Sequence, residues 1–235
     1  SNAYSAIIDG QITTLLTGIV LFVFGSGPVQ GFATTLIIGI ITSVLTSIFI
    51  TRIIFDDRIE KGKNIFQTCL QNANPMLHPC ITTLNAARIE GPNDFFFYEE
   101  GVTPGVGNLL KAIDDERIAL GAAMGLVIES DPAIGVRQGY MAANNYTTGY
   151  SLAPGFKGIK AQTQLDYRYY NEDCGFGLVL WTDLAERLGV DVPNMRAMLQ
   201  IVSSIMGRDY KAEKARTFET LGLGDYSMEE LMKIL

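Results

Sequence analysis

Between Gly10 and Thr51 the sequence carries no charged side chain at all. That absence excludes an ordinary solvated domain there, because charged residues make up roughly 25% of a typical soluble domain. Over the whole chain the charged fraction is 18% and the mean hydropathy is +0.20, so apolar surface must face lipid or a large core. Cysteine is sparse: Cys69, Cys80 and Cys174 are odd in number and form no C-x-x-C pair. They read as reduced thiols of a cytoplasmic compartment, not as a disulfide framework. Histidine is rarer still, with His78 the only one. Cys69, His78 and Cys80 match no common zinc spacing and lack a fourth ligand, which argues against a metal site. Positive charge is also short, with 18 basic residues against 25 acidic ones. From Ser1 to Ile65, Arg52, Arg58, Lys61 and Lys63 balance Asp9, Asp56, Asp57 and Glu60, so the formal charge of -7 belongs to the remainder. An acidic remainder argues against nucleic acid as a partner, which needs basic residues against phosphate.

What is present begins with two apolar runs. "ITTLLTGIVLFVF" ends at Phe24, "GSGPVQG" follows, and "FATTLIIGIITSVLTSIFIT" ends at Thr51. A spanning helix needs about 20 mostly apolar residues, and both runs reach that length with the first extended from Gly10 to Pro28. Gly25, Gly27, Pro28 and Gly31 turn the chain between them, which predicts a transmembrane helical hairpin in a lipid bilayer. The basic residues after the second run place its end in the cytoplasm. "GSGPVQG" approaches a dinucleotide fingerprint, but that motif needs a preceding strand and a βαβ unit, so a turn is expected instead. The chain opens Ser1-Asn2-Ala3 without an initiator Met and reads as a fragment.

From Phe66 onward the pattern is helical. "VGNLLKAIDDERIALGAAMGLVI" recurs at helical spacing, with Asp114, Asp115, Glu116 and Arg117 as a solvated run. Met195, Met198, Leu199, Val202, Ile205 and Met206 form a core stripe. Gly189 ends the helix "WTDLAERL", and Ser227 to Glu230 is a capping box. No strands alternate with these helices, so the fold class is all-α without a nucleotide-binding unit.

The stretch "LQNANPMLHPC" poses the functional question. His78 follows an "NANP" turn and precedes Pro79, which places a helix start here, running through "CITTLNAARI". That is an unusual setting for a plain core histidine.

Two resemblances organise these features. Residues 1–65, with "AIIDGQITTLLTGIVLFVFGSGPVQGFATTLIIGIITS", resemble the last two membrane spans of a SecD-type preprotein-translocase subunit. In that family the spans belong to a proton-driven export motor. Asp9 falls at its acidic position, either an intramembrane functional acid or an interfacial helix cap. Residues 66–235 resemble the α-helical substrate domain of the octopine/nopaline (opine) dehydrogenases, through "NPMLHP", "FYEEGVTP", "DDERIALGAAMG", "RYYNEDCGFGL", "LGVDVP" and "GRDYKAEKARTFETLGL".

That resemblance implies an oxidoreductase that joins an amino acid to a 2-oxo acid by reducing an imine with NAD or NADP. His78 matches the catalytic histidine, Asp173 its paired carboxylate and Arg168 a residue that grips a substrate carboxylate; Asn74 shapes the turn. The chemistry agrees. Imine reduction needs a proton donor, a carboxylate fixes the imidazole tautomer, and a guanidinium forks onto a carboxylate. Without the resemblance, Asp173 reads as a turn acid and Arg168 as a surface ion pair. Tyr98, Glu99 and Thr103 are lining candidates that the sequence does not place.

The family's cofactor-binding Rossmann domain has no counterpart here, so the chain alone is expected to oxidise no NADH. A Rossmann-domain partner or a homo-oligomer would have to complete the site. Three readings stand: an opine-dehydrogenase substrate domain tethered to the inner membrane with its helical part in the cytoplasm, a membrane fragment of the export machinery, and a chimera with neither function intact.

Overall fold

The computed structural model describes residues 2–46, 62–213 and 215–234, with the backbone alone over 2–10. Among these residues every regular element is helical, and the only β pairing is an isolated bridge between Phe96 and Lys160. The chain divides into two units, Ser1–Lys61 and Gly62–Leu235.

In the first unit, α1 (Asn2–Phe24) and α2 (Pro28–Leu45) pack together across a tight turn. Gly27 makes that turn at φ 55°, a left-handed conformation that glycine adopts without steric penalty, and Pro28 then occupies the first turn of α2. "GSGPVQG" is thus a helix–helix turn. Gly18 lets the helices approach, since a Cβ there would lie 3.0 Å from Ile37. Ala33 and Ile40 are buried, whereas Leu16, Phe24, Phe32 and Ile38 are exposed. Thr17, Thr34, Thr42 and Thr46 return their hydroxyls to carbonyls four residues back. Internal pairing of this kind is what an apolar solvent demands of a polar group. Among the described residues, Pro28–Leu45 is long and apolar enough to cross a membrane, and the apolar stretch Gln11–Phe24 is shorter. Asp9 lies in α1, with its side chain outside the described residues; Arg52, Arg58 and Lys61 are themselves outside the described residues.

The second unit is built on α3 (Ile65–Gln71), α4 (Asn74–Leu84), α5 (Ala86–Ile89), α6 (Pro104–Ala123), α7 (Asp131–Arg137), α8 (Thr148–Ser151) and α9 (Arg168–Asn171). A π-helical segment, Asp173–Leu178, then leads into α10 (Val179–Leu188), α11 (Pro193–Met206), α12 (Tyr210–Glu213) and α13 (Met228–Ile234). The long α6 is the central post, packed by α3, α4, α10 and α11. Local chemistry sets the ends. Asn64 Oδ1 accepts the Gln67 N–H at 3.0 Å to open α3, Pro104 starts α6, and left-handed Gly189 and Gly207 close α10 and α11. Ser227 and Glu230 exchange N–H bonds as the capping box requires. Met195, Met198, Leu199 and Val202 are buried, each contributing about 1.5–3 kcal/mol by transfer from water, while Ile205 is exposed at the end of the stripe.

The acidic-basic run of α6 is not solvated. Asp114, Glu116 and Arg117 are buried, and only Asp115 is exposed, paired with Lys111. The reason is helical phase: Asp114, Arg117 and Gly121 share the face that carries Ile113 and Leu120 inward. Each buried charge is matched. Arg117 binds Asp114 Oδ1 at 2.6 Å, the Glu129 carbonyl at 2.7 Å and the Leu70 carbonyl. Asp114 Oδ2 also accepts from the Tyr146 hydroxyl at 2.7 Å and the Asp131 N–H at 3.0 Å. Glu116 accepts the Asn194 and Met195 N–H groups at 2.8 and 2.9 Å, which caps α11.

Candidate active site

The helix that carries His78 starts a turn earlier than the sequence suggests. Asn72 Oδ1 accepts the Asn74 N–H at 3.2 Å, an Asx-type turn, and Pro75 occupies the first turn of α4. His78 therefore lies in the second turn, with Pro79 inside the helix. The helix stops at Leu84, because Asn85 turns its amide onto the Ile81 and Gly101 carbonyls at 2.9 and 3.0 Å. The run to Ile89 is consequently split into α4 and α5.

Asp173 arrives from the π-helical segment, where the Gly177 N–H reaches the Glu172 carbonyl five residues back at 3.2 Å. Segments of this kind re-aim side chains and recur at functional sites. Its fit against α4 depends on Gly177, where a Cβ would lie 2.4 Å from Pro75 Cγ. Gly177→Ala is therefore expected to force the segment off α4. The rigid proline ring cannot yield, and overpacking of this kind costs typically 1–3 kcal/mol. Urea unfolding followed by Trp181, the sole tryptophan and fully buried, measures it; an unchanged midpoint would show that the contact relaxes freely.

The two elements bring His78 Nδ1 to 2.8 Å from Asp173 Oδ2. The other ring nitrogen, Nε2, lies 2.9 Å from the Tyr98 hydroxyl. Tyr169 stacks on the imidazole at 4.0 Å between ring centres, and Phe97 packs at 6.2 Å. His78 is 8% exposed, so this is a recessed ring whose nitrogens and one face are all engaged. An ionised carboxylate only accepts, so the hydrogen on the shared edge belongs to Nδ1, leaving Nε2 to accept from Tyr98.

Burial pushes the Tyr98 hydroxyl far above the ordinary phenol range, and the charges of Tyr169, Asp131 and Asp173 add to the effect. Tyr98 is therefore a standing hydrogen-bond donor. Burial likewise raises Asp131, opposed by the 2.5 Å bond from the Tyr150 hydroxyl. Burial also raises the Cys80 and Cys174 thiols, which keeps both protonated. Among the described residues no group of three His, Cys, Asp or Glu is arranged to hold a metal ion.

Arg168 begins α9, beside Tyr169, with its exposed guanidinium 3.2 Å from Glu172, and its charge acts on the Tyr169 hydroxyl. Asn74 is exposed in the first turn of α4. Glu99 accepts the Gly158 N–H at 2.7 Å, and Thr103 caps α6, so both have structural duties. Tyr98 and Tyr169 complete the site. The aromatic residues of "FFFYEE" and "RYYNED" sit beside the acidic and basic motif positions, but which ring meets His78 depends on tertiary packing.

Among the described residues there is no strand, and hence no βαβ unit of the kind that cradles a pyrophosphate.

A helical domain organised around a carboxylate–imidazole–phenol row is the class that fold and site define. The family described as "NAD/NADP octopine/nopaline dehydrogenase, alpha-helical domain" matches residues 61–206, and the chain belongs to that family. A second family, "Protein export membrane protein SecD/SecF, C-terminal", matches residues 3–61. An opine dehydrogenase of Arthrobacter sp. (strain 1C) is 37% identical over 166 residues, 68% of this chain and 45% of that protein. The protein translocase subunit SecD of Magnetococcus marinus is 47% identical over 63 residues, 27% of this chain and 12% of that protein. An octopine dehydrogenase solved in complex with NADH and agmatine superposes with a TM-score of 0.58 at 15% identity, over 70% of this chain and 50% of that one, which establishes the shared fold. The chain spans about half the length of the curated dehydrogenases it matches.

Proposed function

We propose that the second unit is the substrate-side, proton-transferring half of an opine-dehydrogenase-type oxidoreductase, which condenses an amino acid with a 2-oxo acid at the expense of NAD(P)H. The observation that carries this reading is the pairing of the sole histidine with Asp173 at 2.8 Å. In it, His78 holds and moves the proton that the imine or oxo group needs, and Asp173 steadies the imidazolium. Arg168, at the edge of the Tyr169 stack, leaves Glu172 to grip a substrate carboxylate. Asn74 shapes the approach to α4. Agmatine and L-arginine are bound by the octopine dehydrogenases of similar fold, which makes cationic amino acids and amines the first candidates for the amino partner. The nicotinamide dinucleotide comes from a separate cofactor-binding unit, a partner chain or a further domain. Residues 1–65 form a membrane hairpin, and residues 66–235 face the cytoplasm from the inner membrane.

The test uses the full chain in lipid nanodiscs, with and without the separately produced cofactor-binding half of the Arthrobacter relative. NADH oxidation is followed against a panel of amino acid and 2-oxo acid pairs. The chain alone is expected to be silent and the mixture active. Turnover by the chain alone would overturn the need for a partner. Silence of the mixture, with the chain folded by Trp181 fluorescence, would overturn the catalytic reading.

The match of residues 3–61 to the SecD/SecF family favours a second reading in which the hairpin retains an export-machinery role. Co-purification of the full chain with a SecF-type partner from native membranes would support it, and a hairpin that associates with no translocase subunit would remove it.

A further inference from the structure

The space between α3, α10 and the turn that follows α12 is not filled. Phe66 and Cys69 of α3, Trp181 and Leu184 of α10, and Phe218 line a cavity of about 110 Å³, and every other lining side chain is apolar too. Phe66 and Phe218 stack along one wall at 6.3 Å. Ile65 and Leu221 also line it and are half exposed, so they mark its mouth. The Trp181 indole N–H bonds to the Cys69 thiol, and burial keeps that thiol protonated. A water molecule needs several polar partners to settle, and such walls do not supply them. Apolar cavities of about 150 Å³ stay dry and take up small apolar molecules instead. A hydrocarbon group is therefore the natural occupant.

The charge that acts on Cys69 is a cation. Arg216, just before Phe218 in the chain, is exposed and makes no ion pair among the described residues. Its guanidinium lies 5.0 Å over the Phe176 ring, close enough for its charge to favour the Cys69 thiolate against the pull of burial. We propose that this cavity is a binding site for a straight-chain fatty acid: the end of the alkyl chain fills the space beside Trp181, and the carboxylate pairs with Arg216. The volume limits the apolar part to one chain, with no room for a fused ring system or for both chains of a phospholipid. An unpaired guanidinium near an apolar opening matches a carboxylate head, which it holds through two parallel N–H bonds. An exposed pair of this kind is weak, so the chain supplies the affinity and Arg216 the preference for an acid. The site shares no lining residue with the His78 row, and it goes beyond the dehydrogenase reading without depending on it.

The sole tryptophan lines the cavity, so occupancy is read directly on the full chain in nanodiscs. A bromine at the tip of an alkyl chain quenches tryptophan on contact. ω-Bromododecanoate is expected to quench Trp181 saturably, and plain dodecanoate to reverse the quenching. ω-Bromododecanol, the same chain without the carboxylate, is expected to bind about three- to five-fold more weakly, the size of an exposed ion pair. Arg216→Glu changes an exposed side chain, so the emission of unliganded Trp181 should stay as it is. In that variant the acid is expected to bind about ten-fold more weakly, since attraction becomes repulsion, and the alcohol as before. Absence of quenching, whether the cavity stays empty or a second copy of the chain covers it, would overturn the proposal. Quenching that never saturates would do the same, as would an alcohol that binds as tightly as the acid or an Arg216→Glu chain that holds the acid as well as the parent. None of these readouts involves NADH, so failure here is distinguishable from failure of the dehydrogenase reading.

Discussion

Replacing Arg117 by methionine will destabilise the second unit by about 3–5 kcal/mol, the range for removing one partner of a buried ion pair. The side chain is fully buried and carries three separate contacts: Asp114 on its own helix, the Leu70 carbonyl at the end of α3, and the Glu129 carbonyl just before α7. Methionine fills most of the volume but returns none of those bonds. What it leaves is worse than what it removes, because the Asp114 carboxylate stays buried, opposed only by the Tyr146 hydroxyl and the Asp131 N–H. Urea denaturation followed by Trp181 fluorescence reads the loss. The double variant Asp114→Leu/Arg117→Met is expected to recover part of it, since removing both charges removes the unpaired one. A single variant that unfolds within 1 kcal/mol of the parent would mean that water reaches Asp114 and the pair is not a stability element.

This network also marks what the sequence could and could not reveal. The two-part organisation was legible, because a charge-free stretch followed by a helix-periodic, acidic one differs in solvent preference residue by residue. The all-helical second unit, the Gly189 stop, the Ser227–Glu230 box and the methionine core were equally legible, since each depends on neighbours within one helix turn. The charges of α6 were misread as solvated because charge alone carries no direction. Their phase puts Asp114 and Arg117 on the inward face, where, beyond their own pairing, contacts 12 to 47 residues away satisfy them. The end of α4 was misplaced for the same kind of reason: Asn85 stops it by reaching Gly101, a tertiary contact. His78 and Asp173 were nominated through motifs 95 residues apart, and spacing could not say that a π-helical segment and the absence of a Cβ at Gly177 would bring them to 2.8 Å. Tyr98 on Nε2 was beyond reach of the sequence, which offered several aromatic residues around it.

Asp173→Asn will remove the single tautomer of His78 and lower turnover of the reconstituted enzyme by about 10²–10⁴-fold, the usual share of a positioned acid–base group. The carboxylate accepts and cannot donate, so it fixes the hydrogen on Nδ1 and leaves Nε2 facing Tyr98. An amide of the same shape offers either an acceptor or a donor to Nδ1. The donor orientation moves the hydrogen to Nε2, where it points at Tyr98 in the uncharged ring and no lone pair remains to receive a proton. The amide also carries no negative charge to offset the imidazolium, so the protonated ring loses its partner in either orientation. Ring-15N spectra of the lone histidine are expected to change from one tautomer to a mixture, and kcat to fall while KM for the amino acid stays within about two-fold, the signature of an interaction made in the transition state. Asp173→Glu should restore the tautomer but, with a longer arm against a packed π-helical segment, recover turnover only in part. A single unchanged tautomer in Asp173→Asn would mean that Tyr98 alone sets the ring, and would move the orienting role from the carboxylate to the phenol.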